Sequence, residues 1–197
     1  MARKLSIMDS GWLMMETRET PMHVGGLALF AIPEDAPSDY MESVYRFMVE
    51  VDGVCRPFSQ KIQSRLPGRL DAAWVEDKNF DIDYHVRHSA LPRPGRVREL
   101  LALVSRLHAQ RLDPSRPLWE SYLIEGLEGN RFALYTKMHH SMVDGMAGMH
   151  LMQSRMASSA DENLPAPWSG EWDKRKKPRQ KNVAVAAKAG VLDGVGS

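Results

Sequence analysis

The heptapeptide His139-His140-Ser141-Met142-Val143-Asp144-Gly145 puts two imidazoles and a carboxylate within one short stretch. An unperturbed imidazole titrates at about 6.5, so near neutral pH it can take up a proton and return it. That suits general base catalysis, in which the ring removes a proton from an alcohol as the alcohol attacks an activated carbonyl. Gly145 offers the backbone freedom that a sharp bend after Asp144 needs. Three readings compete for the pattern. It is a pair of loop histidines beside an ordinary Asp-Gly turn, a metal site, or the base of a transfer reaction. A catalytic zinc takes three protein ligands. His139 and His140 point to opposite sides of an extended chain, and neither Cys55 nor a second histidine cluster completes a set, so no metal is expected.

Presenting an imidazole at the edge of a sheet requires a strand that stops there. Residues 119–127 and 131–140 are two strand-like runs around Glu128-Gly129-Asn130, which reads as a hairpin turn. In the second run Phe132, Leu134, Thr136 and Met138 alternate with Ala133, Tyr135, Lys137 and His139. A helix is expected over 146–157, with Met146, Met149, Met152 and Met156 down a side better suited to core than to binding. Upstream, Ser6 and Asp9 have the spacing of a capping box, so a short helix should follow with Ile7, Leu13 and Met14 among its apolar residues. Residues 22–32 read as a buried strand in which Gly25 and Gly26 mark a bulge or a close approach. A helix is expected over 38–52, strands at 60–66 and 81–89 with Pro67-Gly68 between them, and a helix over 96–111. His108 is taken as a plain helix-face histidine.

The totals bound the setting. A chain of 197 residues with 43% hydrophobic and 26% charged residues is long enough for one domain with a core. No apolar run reaches the roughly 18 residues of a membrane span, the N-terminus lacks the apolar segment of a signal peptide, and a single cysteine fits a reducing compartment. The expected location is cytoplasmic. Residues 171–197 carry seven basic and three acidic residues, a balance of +4, which leaves −3 on residues 1–170 of the +1 total. That distribution argues against a nucleic-acid footprint on the folded part. The expected division is a domain over 1–160 carrying the His pair, a basic linker with proline and tryptophan over 161–182, and the start of a crossover helix over 183–197 that stops without a core to join.

HHSMVDG matches the HHxxxDG motif of the coenzyme A-dependent acyltransferase superfamily, which includes chloramphenicol acetyltransferase and the condensation domains of peptide synthetases. The stretch LSIMDSGWLMMETRETPMHVGGLALF (5–30) resembles the opening of the bacterial wax ester synthase/acyl-CoA:diacylglycerol acyltransferase family, and LDPSRPLWE (112–120) resembles its Pro-Leu-Trp motif. The resemblance implies an α/β fold, a chloramphenicol acetyltransferase-like two-layer sandwich that is one half of a two-domain pseudo-dimer. A tunnel would run between the halves, with the C-terminal half and its Asn-Asp motif outside this chain. It implies that His140 is the base and His139 a structural neighbour. Asp144 would organise the loop by pairing with an arginine, for which Arg116 and Arg65 are candidates. Gly145 would turn the chain, and Pro117, Leu118 and Trp119 would pack around the site. The implied reaction moves a fatty acyl group from acyl-CoA to a long-chain alcohol or to diacylglycerol with no other cofactor. The basic run 174–181 is read as a solvated linker, with contact to an anionic membrane or lipid body as its functional alternative. The rival functions are another condensation-type acyl transfer and a non-catalytic lipid- or partner-binding domain of the same fold.

Overall fold

The computed structural model describes residues 3–64, 71–142, 155 and 165–170. At its centre is the expected hairpin. Strands β6 (Trp119–Leu127) and β7 (Arg131–His139) run antiparallel. Gly129 and Asn130 turn the chain with φ of 75° and 54°, a conformation that glycine and asparagine adopt at least cost. Strand β2 (His23–Ala31) pairs antiparallel with the far side of β7, in unbroken register from His23↔His139 to Ala31↔Arg131. Strand β5 (Val86–Ala90) lies parallel to β6 and completes the order β2-β7-β6-β5. A parallel neighbour requires a crossover, and helix α4 (Val97–Ala109) supplies it.

Period-two alternation gives this sheet two faces. On one, Tyr122, Ile124, Ala133 and Tyr135 pack against Leu100, Leu103, Val104 and Leu107 of α4. On the other, Leu123, Phe132 and Met138 join a larger core with Tyr40, Val44 and Met48 of helix α2 (Tyr40–Val49). A smaller sheet adds Trp74 and Ile62 to the larger core; it is built from β1 (Arg3–Lys4), β4 (Ala73–Glu76) and β3 (Gln60–Gln63) in the order β1-β4-β3. Trp74, Trp119 and Trp168 are all fully buried. Each such side chain removes about 150–250 Å² from water, on the order of 4–6 kcal/mol.

Several expectations hold. Ser6 Oγ accepts the Asp9 N–H at 3.0 Å and Asp9 Oδ2 accepts the Ser6 N–H at 3.3 Å, and helix α1 (Ile7–Met15) follows. The helices expected over 38–52 and 96–111 are α2 and α4. Others change. Residues 22–32 contain a strand with exposed positions, not a buried one, and among the described residues β2 pairs with β7 alone. Gly25 marks no bulge. A Cβ there would lie 2.7 Å from Tyr135 Oη and 3.1 Å from His108 Nδ1, so side chains from β7 and α4 occupy its place, while Gly26 faces open space. Of the apolar residues named in α1, Leu13 is buried but Ile7 and Met14 are 95% and 70% exposed. The second strand expected at 81–89 begins as a short helix, α3 (Ile82–His85), started by Asp81 Oδ1 on the Asp83 N–H, and extends only from Val86. Strand β4 went unread, since Ala73–Glu76 places one aromatic residue in a mixed run too short to show a period.

Part of the expected linker is core. Trp168 is 1% exposed, stacks on Trp119 at 5.0 Å, and donates its Nε1–H to the Met48 carbonyl at 2.9 Å. An indole buried this way makes 165–170 a packed segment rather than a tether. The helix over 146–157 lies, but for Arg155, outside the described residues, as do the basic run 174–181 and the crossover 183–197. No helix among the described residues is long and apolar enough to cross a membrane.

Candidate active site

The last residue of β7 is His139, whose side chain is fully buried. Its backbone N–H donates to the Leu118 carbonyl at 3.0 Å. Its Nδ1 lies 3.1 Å from the Ser141 N–H and 2.7 Å from Ser141 Oγ. A backbone N–H can only donate, so Nδ1 must hold the lone pair and the ring proton sits on Nε2. That nitrogen faces Glu16 Oε1 at 3.7 Å. His139 is thus committed to holding the turn that follows it.

His140 is arranged differently. Its N–H donates to the Met22 carbonyl at 2.9 Å, continuing the β2–β7 ladder by one residue. The residue is partly exposed, and its ring stacks on the indole of Trp12 from α1, with centroids 4.7 Å apart and planes 19° apart. The ladder fixes its backbone and the indole fixes its plane. A lone imidazole held this way can receive and return a proton.

Asp144, Gly145 and Arg65 lie outside the described residues. Arg116 has its Nε 3.7 Å from Asp113 Oδ2 and its guanidinium 4.0 Å above the ring of Tyr84. Pro117, Leu118 and Trp119 are all buried. Trp119 stacks on His85 and Trp168 and meets Phe58 edge-on, and it donates its Nε1–H to the Phe58 carbonyl at 2.9 Å. Leu118 reaches the His pair through the carbonyl that holds His139. No group of three or more His, Cys, Asp or Glu side chains suited to a metal occurs among the described residues.

Several residues near the pair carry no role in the motif readings. Glu16, just past α1, accepts from Arg111 Nη2 at 2.8 Å through Oε2 and from the Met22 N–H at 3.3 Å through Oε1. Burial pushes its carboxyl up, but those two bonds and the Arg111 charge outweigh it and hold the group below its ordinary value. Lys137, two residues before the pair, is fully buried and donates from Nζ to the carbonyls of Leu107 and Gln110, both at 2.9 Å. It thereby caps the end of α4 and also reaches Glu120 Oε2 at 3.2 Å. Burial lowers its pKa despite Glu120. His23, opposite His139, donates through Nε2 to the His108 carbonyl at 2.7 Å, and burial pushes its pKa below the ordinary imidazole value. His108 is more than a plain helix-face residue, since its Nδ1 is also 2.7 Å from Tyr135 Oη. A lysine inside the alternating run 131–139 was a readable sign of a buried cation. Glu16 and Arg111, 95 residues apart, offered none.

With the geometry in place, comparison with known proteins is specific. The family model for the wax ester synthase/diacylglycerol acyltransferase catalytic domain matches residues 5–197. The chain is 40% identical over 197 residues to the O-acyltransferase WSD of Acinetobacter baylyi, covering 99% of this chain and 41% of that protein. It is also similar to the solved wax ester synthase/diacylglycerol acyltransferase of Marinobacter aquaeolei VT8, at 43% identity and a TM-score of 0.79, covering 85% of this chain and 40% of the other. The first condensation domain of the calcium-dependent antibiotic synthetase matches with a TM-score of 0.58 at 20% identity, over 78% of this chain and 37% of that one, a likeness of fold alone. These matches bear out the expected fold class, an α/β chloramphenicol acetyltransferase-like half of a two-domain fold. The chain spans about two fifths of the length of the relatives it matches.

Proposed function

This chain belongs to the wax ester synthase/diacylglycerol acyltransferase family, and from that premise we propose that it supplies the general-base half of an O-acyltransferase, with His140 as the base. The acyl donor is a fatty acyl-CoA and the acceptor is the hydroxyl of a long-chain alcohol or of diacylglycerol. The observation that carries the assignment is the contrast within the pair. His139 is buried and spent on the Ser141 turn, whereas His140 is held at the strand end and only partly buried.

The reaction needs no acyl-enzyme. The ring of His140 takes the hydroxyl proton as the oxygen attacks the thioester carbonyl. The new C–O bond forms through a tetrahedral oxyanion, which requires hydrogen-bond donors. The C–S bond then breaks, and the coenzyme A thiolate takes the proton back from His140. Asp144 organises the loop, and the second half of the enzyme completes the substrate tunnel. The likeness to condensation domains is one of fold, so amine acceptors have less support than alcohols.

The test is acyl-CoA-dependent ester formation by the whole protein. His140→Ala should lower kcat by about 10²–10⁴-fold, the range for loss of a general base, and His139→Ala should lower it less. Equal losses from the two variants would refute the division of roles. A wild-type protein with no transfer to either acceptor would favour the non-catalytic binding domain.

A further inference from the structure

The geometry points to Glu16 as a positioning residue for the base: its carboxylate, held by Arg111, bonds the Met22 backbone that holds His140 and faces the buried ring of His139 beside it. The inference rests on the reading of His140 as the base and adds a residue that no motif assigns.

Two paths lead from one carboxylate oxygen. Glu16 Oε1 accepts the Met22 N–H at 3.3 Å, and the carbonyl of the same Met22 accepts the His140 N–H at 2.9 Å. The same oxygen faces His139 Nε2 at 3.7 Å, and His139 Nδ1 takes the Ser141 N–H at 3.1 Å. The strand partner of His140 is thus hydrogen-bonded to Glu16, and the ring of His139 faces the same oxygen across a longer electrostatic contact, while Oε2 is held by Arg111 Nη2 at 2.8 Å. The Glu16 side chain is 7% exposed, so the tie is made away from bulk water. Glu16 also follows directly on α1, the helix whose Trp12 stacks on the His140 ring.

The chemistry of the site demands a carboxylate. Every neighbour named is a donor: the Arg111 guanidinium, the Met22 amide, and the Nε2–H that the Ser141 bond imposes on His139. A glutamine has the same shape but must aim its NH₂ at one of these donors, so it leaves at least one donor against another. Aspartate keeps the charge but falls about one methylene short.

The test is a double-mutant cycle in the whole protein, pairing Glu16→Gln with His140→Ala and reading kcat and KM separately. If Glu16 acts through His140, Glu16→Gln lowers kcat by about 10- to 100-fold, as loss of a group that orients a histidine does, with KM nearly unchanged. In the His140→Ala background the same change then alters the residual rate by less than about twofold. Equal losses in both backgrounds mark a merely structural role and overturn the inference, as does wild-type kcat in Glu16→Gln. Should Glu16→Gln fail to fold, Glu16→Asp replaces it, with a smaller loss of kcat expected and no loss overturning. Amide hydrogen exchange gives a second readout where the residual rate is too slow to follow. In the folded variant the amides of His140 and Ser141 should exchange faster than in wild type, and unchanged protection overturns the inference. Wild-type turnover by His140→Ala alone would remove the base itself, a failure that single variant separates from failure of the Glu16 role.

Discussion

On one face of the four-stranded sheet Trp119 is enclosed by Phe58, His85 and Trp168. One residue along, on the other face, Glu120 is enclosed by the Lys137 ammonium at 3.2 Å and the Tyr122 hydroxyl at 2.6 Å. The first face is held by buried aromatic area, which is non-directional and forgiving of shape-conserving change. The second adds to its apolar contacts with α4 a cluster of hydrogen bonds in which each partner is specified. Burial pushes the hydroxyls of Tyr122 and Tyr135 up, with Glu120 adding to it in both cases, Tyr135 to about 12. Both therefore stay neutral donors at physiological pH. The His pair divides along the same line. His139 shares the polar face of Tyr135 and Lys137, and His140 leaves the strand to stack on Trp12. The rigid network fixes the turn, and the residue just beyond it is only partly buried.

The contrast can be broken by substitution, taken from the largest effect to the smallest. Trp119→Ala should destabilise by about 3–5 kcal/mol, the usual result of truncating a buried aromatic residue. Chemical denaturation measures it at pH 8, and the loss should be smaller at pH 6, because His85, whose pKa burial lowers, loses its cover when Trp119 is removed. On the polar face, Lys137→Met should cost about 3 kcal/mol, at the low end for removing one partner of a buried pair, since Tyr122 still donates to Glu120. Adding Glu120→Gln should recover part of that loss. If the double variant is no more stable than Lys137→Met, the pair is not coupled and the polar face is held by area like its neighbour. Adjacent glycines give the finest comparison. Gly25→Ala pushes a methyl group into the Tyr135–His108 contact and should cost about 1–3 kcal/mol, as overpacking does. Gly26→Ala faces open space and should stay within about 0.5 kcal/mol. Equal thermal shifts for the two would mean that the contact at Gly25 yields without strain.

Much of this was legible locally. The capping box at Ser6, the Glu128-Gly129-Asn130 turn, the alternation of 131–139 and the stripe of α4 each depend on residues a few positions apart, and each is where the spacing put it. The hairpin and its end at the His pair followed from that alone, and the heptapeptide gave the chemistry open to the site. Other features needed the fold. Strand β2 reads as buried because its composition is apolar, yet among the described residues it pairs with β7 alone, and no local period carries which strands pair. Trp168 sits in a stretch whose proline and charge read as linker, and only the cavity between Trp119 and α2 makes it core. Glu16 and Arg111 meet because the end of α1 is brought against the end of α4, 95 residues later. The sequence determined the elements and the reactive residue types, because those depend on neighbours along the chain. The resemblance separated the two histidines by role, but only the tertiary structure decided what holds His139 and what orients His140, because that depends on groups that folding brings together.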